Sequence, residues 1–140
     1  MVRNNQGINI MRVKKIIYWT STVLISLMML SSAWGYFTNP DMKGAFVHLG
    51  FPDYFRIELG TAKFLGVLAL LIPMIPARIK EFAYFGFTIT FISAIIAHLS
   101  SGDPIMAVVF PLVAQVLLTV SYIYFILISD KKMTMQEAES

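Results

Sequence analysis

The chain has 140 residues, of which 57% are apolar and only 14% charged, with a net charge of +3 and no cysteine. An average soluble domain is about one-quarter charged, so this chain lacks the charge to coat a globular surface; it reads as a one-domain, all-α integral membrane protein and not as a disordered chain. The missing cysteines exclude a disulfide scaffold and any cysteine-ligated metal or iron–sulfur site.

Residues 1–13 read as a flexible N-terminal segment, with Met11 as a second candidate start. The first span follows at about 16–37, where no charge occurs between Lys15 and Asp41; a helical crossing needs roughly 20 apolar residues. The apolar run is too long for a signal peptide and no A-x-A site follows it, so it is a retained span. The connection 38–54 is long. Within it Met42, Ala45, Phe46 and Leu49 recur at helical spacing, Gly50 can end the turn and Pro52 blocks continuation. That pattern predicts a short interfacial helix in the first outer loop, capping the bundle mouth. The second span, about 57–75, carries Glu58 and Lys63 near its start. It is required because the stretch FLGVLALLIPMI otherwise has no apolar place to go. A short turn, Pro76 to Glu81, makes the second and third spans antiparallel neighbours. The third span, about 82–99, contains His98 as its one ionisable residue. In the next turn Asp103 can cap the fourth span, about 104–128, with Pro104 at its first helical position. Residues 14–130 thus form a four-helix transmembrane domain, and 131–140 a polar, mobile tail.

Basic residues orient the spans. Arg3, Arg12, Lys14 and Lys15 precede the first, Arg78 and Lys80 separate the second from the third, and Lys131 and Lys132 follow the fourth. The excess of Lys and Arg on one side places both termini in the cytoplasm. Tyr18, Trp19, Trp34, Tyr36, Tyr84, Tyr122 and Tyr124 fall near span ends, as an interfacial aromatic belt would. No basic stripe supports nucleic-acid binding. The partner composition implies is the lipid bilayer; a unit of this size could also form a homodimer or join a membrane protein complex.

Ionisable groups inside a span are functional candidates, since each costs roughly 2.5–3.5 kcal/mol at mid-membrane. Here they are Glu58, Lys63 and His98, with Arg56 at the edge. Counted from Arg56, Glu58 is about 3 Å in and Lys63 about 10 Å in. Lys63 can snorkel outward as an isolated surface lysine does. Against that reading, Gly60, Ala62 and Gly66 surround it, and Ala62 with Gly66 forms a small-xxx-small pair that marks helix contact. Arg56 and Lys63, seven apart, share a face; Glu58 and Lys63, five apart, do not. His98 could bond a backbone carbonyl or pair with Glu58. Pro111 removes one hydrogen bond of the fourth helix and should kink it, four residues before Gln115. Arg56, Glu58, Lys63, His98 and Gln115 are therefore ligand-binding candidates in the outer half of the bundle, beside the structural candidates Gly60, Gly66, Asp103 and Pro111; a purely structural polar network is the competing reading. The repeat of His-Leu at 48 and 98, each followed by an aspartate at 53 and 103, is too short to mark a duplication. No motif for a phosphate loop, a nucleophile elbow or a metal centre is present, so no catalytic residue, metal or cofactor is assigned. Haem on His48 and His98 is allowed by ligand type alone, and their placement at a loop and a helix end does not favour it.

The stretches His48-Leu49-Gly50-Phe51-Pro52, Arg56-Ile57-Glu58-Leu59-Gly60-Thr61-Ala62-Lys63-Phe64-Leu65-Gly66, Lys80-Glu81-Phe82-Ala83-Tyr84-Phe85-Gly86-Phe87 and Ala97-His98-Leu99 with Gly102-Asp103-Pro104 resemble the DoxX-like family of small bacterial membrane proteins. The resemblance covers about 14–129. It implies four transmembrane helices, a bacterial cytoplasmic (inner) membrane location, and a link to quinone or redox physiology, the family being named for a membrane subunit of a thiosulfate:quinone oxidoreductase. It carries over no catalytic residue; the positions it marks are Gly60, Lys63, Gly66, His98 and Asp103. Residues and resemblance together point to a non-enzymatic membrane subunit or accessory protein that binds a small lipophilic molecule, such as a quinone, in an outer-half pocket. The alternatives are an oxidoreductase subunit whose redox centre lies on a partner, and a scaffold or assembly protein with no ligand.

Overall fold

A computed structural model describes the backbone of residues 2–139 and the side chains of residues 7–130. Its elements are α1 (Val2–Thr38), α2 (Asp41–His48), α3 (Asp53–Leu71), α4 (Ala77–Ser100) and α5 (Met106–Glu139). The long helices α1, α3, α4 and α5 pack side by side in a closed ring in which α1 touches α3 and α5, and α4 touches the same two; α2 rests on α3 and the end of α1.

Helix ends follow local chemistry. α3 stops at Leu71, short of the expected position 75, because Ile72 precedes Pro73 and takes an extended conformation (φ −79°, ψ 115°). α4 begins at Ala77, directly after Pro76, so the connection 72–76 is shorter than expected and α4 starts five residues before position 82. α2 and α4 end alike. Gly50 (φ 83°) and Gly102 (φ 72°) adopt the left-handed conformation. Phe51 then donates back to the Phe46 carbonyl at 2.8 Å, and Asp103 to the His98 carbonyl at 3.1 Å. These are Schellman closures, which favour glycine at that position. The two cap glycines are 52 residues apart whereas the His-Leu pairs are 50 apart, so the echo is out of register with the two helix ends.

α1 begins at Val2 and so takes in residues 2–13, and α5 continues to Glu139. The side chains of Arg3, Lys131 and Lys132 lie outside the described residues. α5 begins at Met106, so Pro104 precedes it; α5 runs without interruption through Pro111.

Among the described residues three helical stretches, Gly7–Thr38, Ala77–Ser100 and Met106–Asp130, are long and apolar enough to cross a membrane. α3 is set apart by Arg56, Glu58 and Lys63 within its 19 residues. Large apolar side chains face outward on the other helices, among them Leu27, Phe82, Phe85, Ile92, Val113 and Val116. In water such a surface would be an aggregation hazard; in lipid it is the ordinary outer face.

The core is built from Ile25 and Met29 of α1, Val67 and Leu70 of α3, Tyr84, Phe87 and Phe91 of α4, and Ala114, Leu118 and Phe125 of α5. Tyr18 and Tyr84 belong to this core and not to an aromatic belt. At the same level Thr22 of α1, Ser121 of α5 and Tyr84 of α4 are tied together: the Ser121 hydroxyl lies 2.7 Å from both Thr22 Oγ1 and Tyr84 Oη. Hydroxyls buried away from water need such partners, so the tie also sets the register of three helices.

Candidate ligand-binding site

The site is organised by α3. Its two glycines are points of close approach. A Cβ on Gly60 would lie 2.8 Å from the Phe37 ring of α1, and one on Gly66 would lie 2.7 Å from the Phe87 ring of α4. At about 100° per residue, Lys63 lies about 60° from each of them, so it points between α1 and α4 toward the middle of the ring. Ala62 is exposed, so the expected small-xxx-small contact is made by Gly66 without it. Lys63 is 5% exposed, and Asp53 is ten residues away at the start of the helix, about 15 Å along its axis. Its Nζ donates to Ser32 Oγ and to Tyr36 Oη, each at 2.8 Å, and lies 4.1 Å from the centre of the Tyr36 ring. Ser32 and Tyr36 are four apart on α1 and therefore share a face. No carboxylate pairs with Lys63 among the described residues.

The other cations near the bundle act differently. Lys80 is equally buried, but its Nζ donates to the carbonyls of Ala69, Leu70 and Ile72 at 3.0, 2.9 and 2.9 Å. It caps the C-terminus of α3, where the last carbonyls have no intrahelical donor. Arg56 does the same for α1: it donates to the Tyr36 carbonyl and forms an ion pair with Asp53 at 2.9 Å. Lys43 lies 3.5 Å from the other oxygen of Asp53.

A cavity of about 550 Å³ opens beside Lys63. That is within the range of small-molecule sites. All five helices contribute to it: Met29, Ser32 and Tyr36 from α1, Phe46 from α2, Leu59 and Lys63 from α3, Phe91, Ala94 and His98 from α4, and Ala107, Phe110 and Pro111 from α5. Its roof is aromatic. Phe46, buried in the short helix, meets Tyr36 edge-on with centroids 4.9 Å apart, and Phe51 stacks on Phe55 at 5.0 Å.

A clamp holds the roof. Asp103 accepts from His48 Nε2 at 2.8 Å through one oxygen and from His98 Nδ1 at 2.7 Å through the other. It thereby joins α2, the end of α4 and the turn that leads into α5. The His98 ring, and then the His48 ring, hold the Asp103 carboxyl below its usual range. Asp103 therefore binds two histidines instead of capping α5, and His98 pairs neither with Glu58 nor with a backbone carbonyl. No group of three or more metal-ligating side chains with suitable geometry occurs among the described residues.

Of the residues singled out in the sequence, Lys63, His98 and Pro111 line the cavity. Gly60 and Gly66 hold the helices around it, and Asp103 fastens its roof. Arg56 points the same way as Lys63 but is engaged at the end of α1. Glu58, about 140° around the helix from Lys63, is exposed. Gln115 bonds Thr119 at 3.1 Å, away from the cavity lining. Ser32, Tyr36 and the aromatic roof went unread as site residues. The i, i+4 spacing of Ser32 and Tyr36 was visible, but nothing in one sequence says which helix face meets Lys63.

Comparison with curated proteins and with solved structures gives no match. The profile of the DoxX-like family matches residues 20–121, which include α2, α3, α4 and every residue of the cavity and its clamp. With its apolar helices and this match over most of its length, the chain is a multi-pass membrane protein that belongs to the DoxX-like family.

Proposed function

We propose that this protein is a non-enzymatic membrane subunit or accessory protein that holds a small lipophilic molecule, with a hydrogen-bond acceptor at one end, in the cavity beside Lys63. A quinone is one such molecule. The observation that carries the reading is a buried lysine with only hydroxyl partners, turned into an apolar cavity of about 550 Å³. Burying an ammonium costs several kcal/mol unless it is well paired. A structural lysine in this bundle looks like Lys80, with every donor used on a carbonyl. Lys63 lacks that arrangement, and a ligand acceptor would supply it.

In this reading α3 also crosses the membrane, giving four crossings with both termini in the cytoplasm of a bacterial inner membrane. At 19 residues α3 is about 28 Å long, against a hydrocarbon core of about 30 Å. Of its charges, Asp53, Arg56 and the exposed Glu58 fall within the first two turns, near one end, and Lys63 is turned inward to the ring. Arg12, Lys14, Lys15, Arg78 and Lys80 then fall on one side, as the positive-inside rule requires.

The test is native mass spectrometry of protein extracted in a mild detergent, with organic extraction of what it carries. A small lipophile retained by the wild type and lost from Lys63→Ala, with the fold preserved, is the expected result. Bare protein, or bulk phospholipid alone, would refute the reading and leave the polar groups as architecture.

A further inference from the structure

We propose that the ligand of the cavity is a lipophilic monocarboxylate, with its carboxylate on Lys63, Tyr36 and Ser32 and its apolar body in the cavity. This rests on the reading of the cavity as a ligand site and adds the charge and headgroup of the ligand to it.

The hydrogen-bond inventory at Lys63 is one-sided. An ammonium has three N–H donors, and two of them go to Ser32 and Tyr36. Each of those hydroxyls accepts from Lys63, which leaves its own hydrogen to donate elsewhere. Among the described residues neither has an acceptor for it. Three hydrogens therefore remain at one spot: one N–H and two O–H. No acidic side chain lines the cavity, and Asp103, which fastens its roof, is taken by two histidines. The site thus presents a single positive charge and surplus donors. A carboxylate offers one negative charge and two oxygens that only accept, so it can meet all three hydrogens. A neutral carbonyl offers one oxygen and no charge. A second negative charge would find no second free cation in the lining.

The rest of the cavity specifies the body of the ligand. Away from the Lys63, Ser32 and Tyr36 group and from His98, its lining is aliphatic and aromatic apart from Thr90, whose hydroxyl donates to the Gly86 carbonyl of its own helix, and Ser93. Ile89 and Phe110 line it yet are about half exposed, and Ser93 beside them is exposed, so the cavity reaches the outer surface between α4 and α5. In the membrane that surface faces acyl chains, which makes the bilayer the route of entry for an amphiphile.

The experiment uses the full chain in nanodiscs of zwitterionic lipid and four probes: decanoate, methyl decanoate, acetate and a short-chain alkyl benzoquinone. Binding is measured by calorimetry for the wild type, Lys63→Met and Tyr36→Phe. Decanoate is expected to bind about tenfold or more tighter than its methyl ester. Lys63→Met should remove that preference, Tyr36→Phe should reduce it, and acetate should fail to bind. The acid-to-ester ratio in the wild type decides the matter even where a variant does not fold. Ester or benzoquinone binding as tightly as decanoate would overturn the carboxylate proposal and leave the ligand site standing. Acetate binding as tightly as decanoate would overturn the lipophilic part. No binding of any probe would overturn both this proposal and the ligand-site reading.

Discussion

Lys63 and Lys80 are equally buried, both 5% exposed, yet the same substitution should move stability in opposite directions. Lys80→Met keeps the alkyl stem and removes the donor to three carbonyls at the end of α3. Each buried carbonyl left without a donor costs about 1–3 kcal/mol. The carbonyl of Ile72 keeps the Ile75 N–H at 3.3 Å, and removing a buried ammonium gives some relief. The net expectation is a loss of about 3 kcal/mol. Lys63→Met gives up its bonds to two hydroxyls, of which that of Ser32 can turn to a backbone carbonyl of its own helix, and removes a buried charge with no acid partner among the described residues. Replacing such a charge by an apolar side chain is neutral or stabilising by about 1–3 kcal/mol. For a chain of this size 1 kcal/mol is roughly 3–4 °C in Tm. Thermal unfolding of delipidated protein, followed by fluorescence-detected size exclusion, should show Lys80→Met about 10 °C below the wild type and Lys63→Met level with it or above. A loss at Lys63 as large as that at Lys80 would refute the reasoning, because it would make Lys63 part of the scaffold.

The clamp at Asp103 makes stability depend on acid. Its carboxyl is held below the usual range in the folded protein, so its contribution is complete above the ordinary carboxylate range and is lost as pH falls through it and below. Asp103→Asn should flatten the acid limb of a Tm profile taken between about pH 7 and pH 3; an unchanged limb would remove Asp103 from the account. Gly66→Leu should destabilise by about 1–3 kcal/mol by driving into the Phe87 ring, whereas Ala62→Leu on the exposed face should be tolerated within about 0.5 kcal/mol; equal effects would contradict the packing of α3 on α4. Because the chain has no cysteine, single introduced cysteines report topology without background. Ser101→Cys should react with an impermeant maleimide in intact cells, and Glu81→Cys only after the membrane is opened; the reverse pattern would invert the orientation.

Much of the architecture was legible because it follows from sums over many residues. The apolar stretches, the loop helix around Phe46 and its stop at Gly50 are local or compositional signals, and tertiary contacts had little to override. Boundaries were less legible. Pro73 ended α3 earlier than the apolar run suggested, since the residue before a proline leaves the helical conformation whatever its hydrophobicity. Residues 2–13, where polar and apolar side chains are mixed, gave no sign that they would extend α1.

The site divides along the same line. Composition and spacing by themselves determined that Lys63 and His98 lie in apolar helices and that Gly60 and Gly66 flank the lysine. They could not determine which cations are already engaged, because that depends on partners 8 to 31 residues away in sequence, such as Ile72 for Lys80 and Ser32 for Lys63. Arg56, Lys63 and Lys80 are interchangeable as charges in a sequence. Only the tertiary structure separates them: two close the carbonyl ends of neighbouring helices, and the third faces a cavity with hydrogens to donate. The difference is one of geometry, since a hydrogen bond needs its partner within about 3 Å, and helices far apart in the chain are brought to that distance by packing alone.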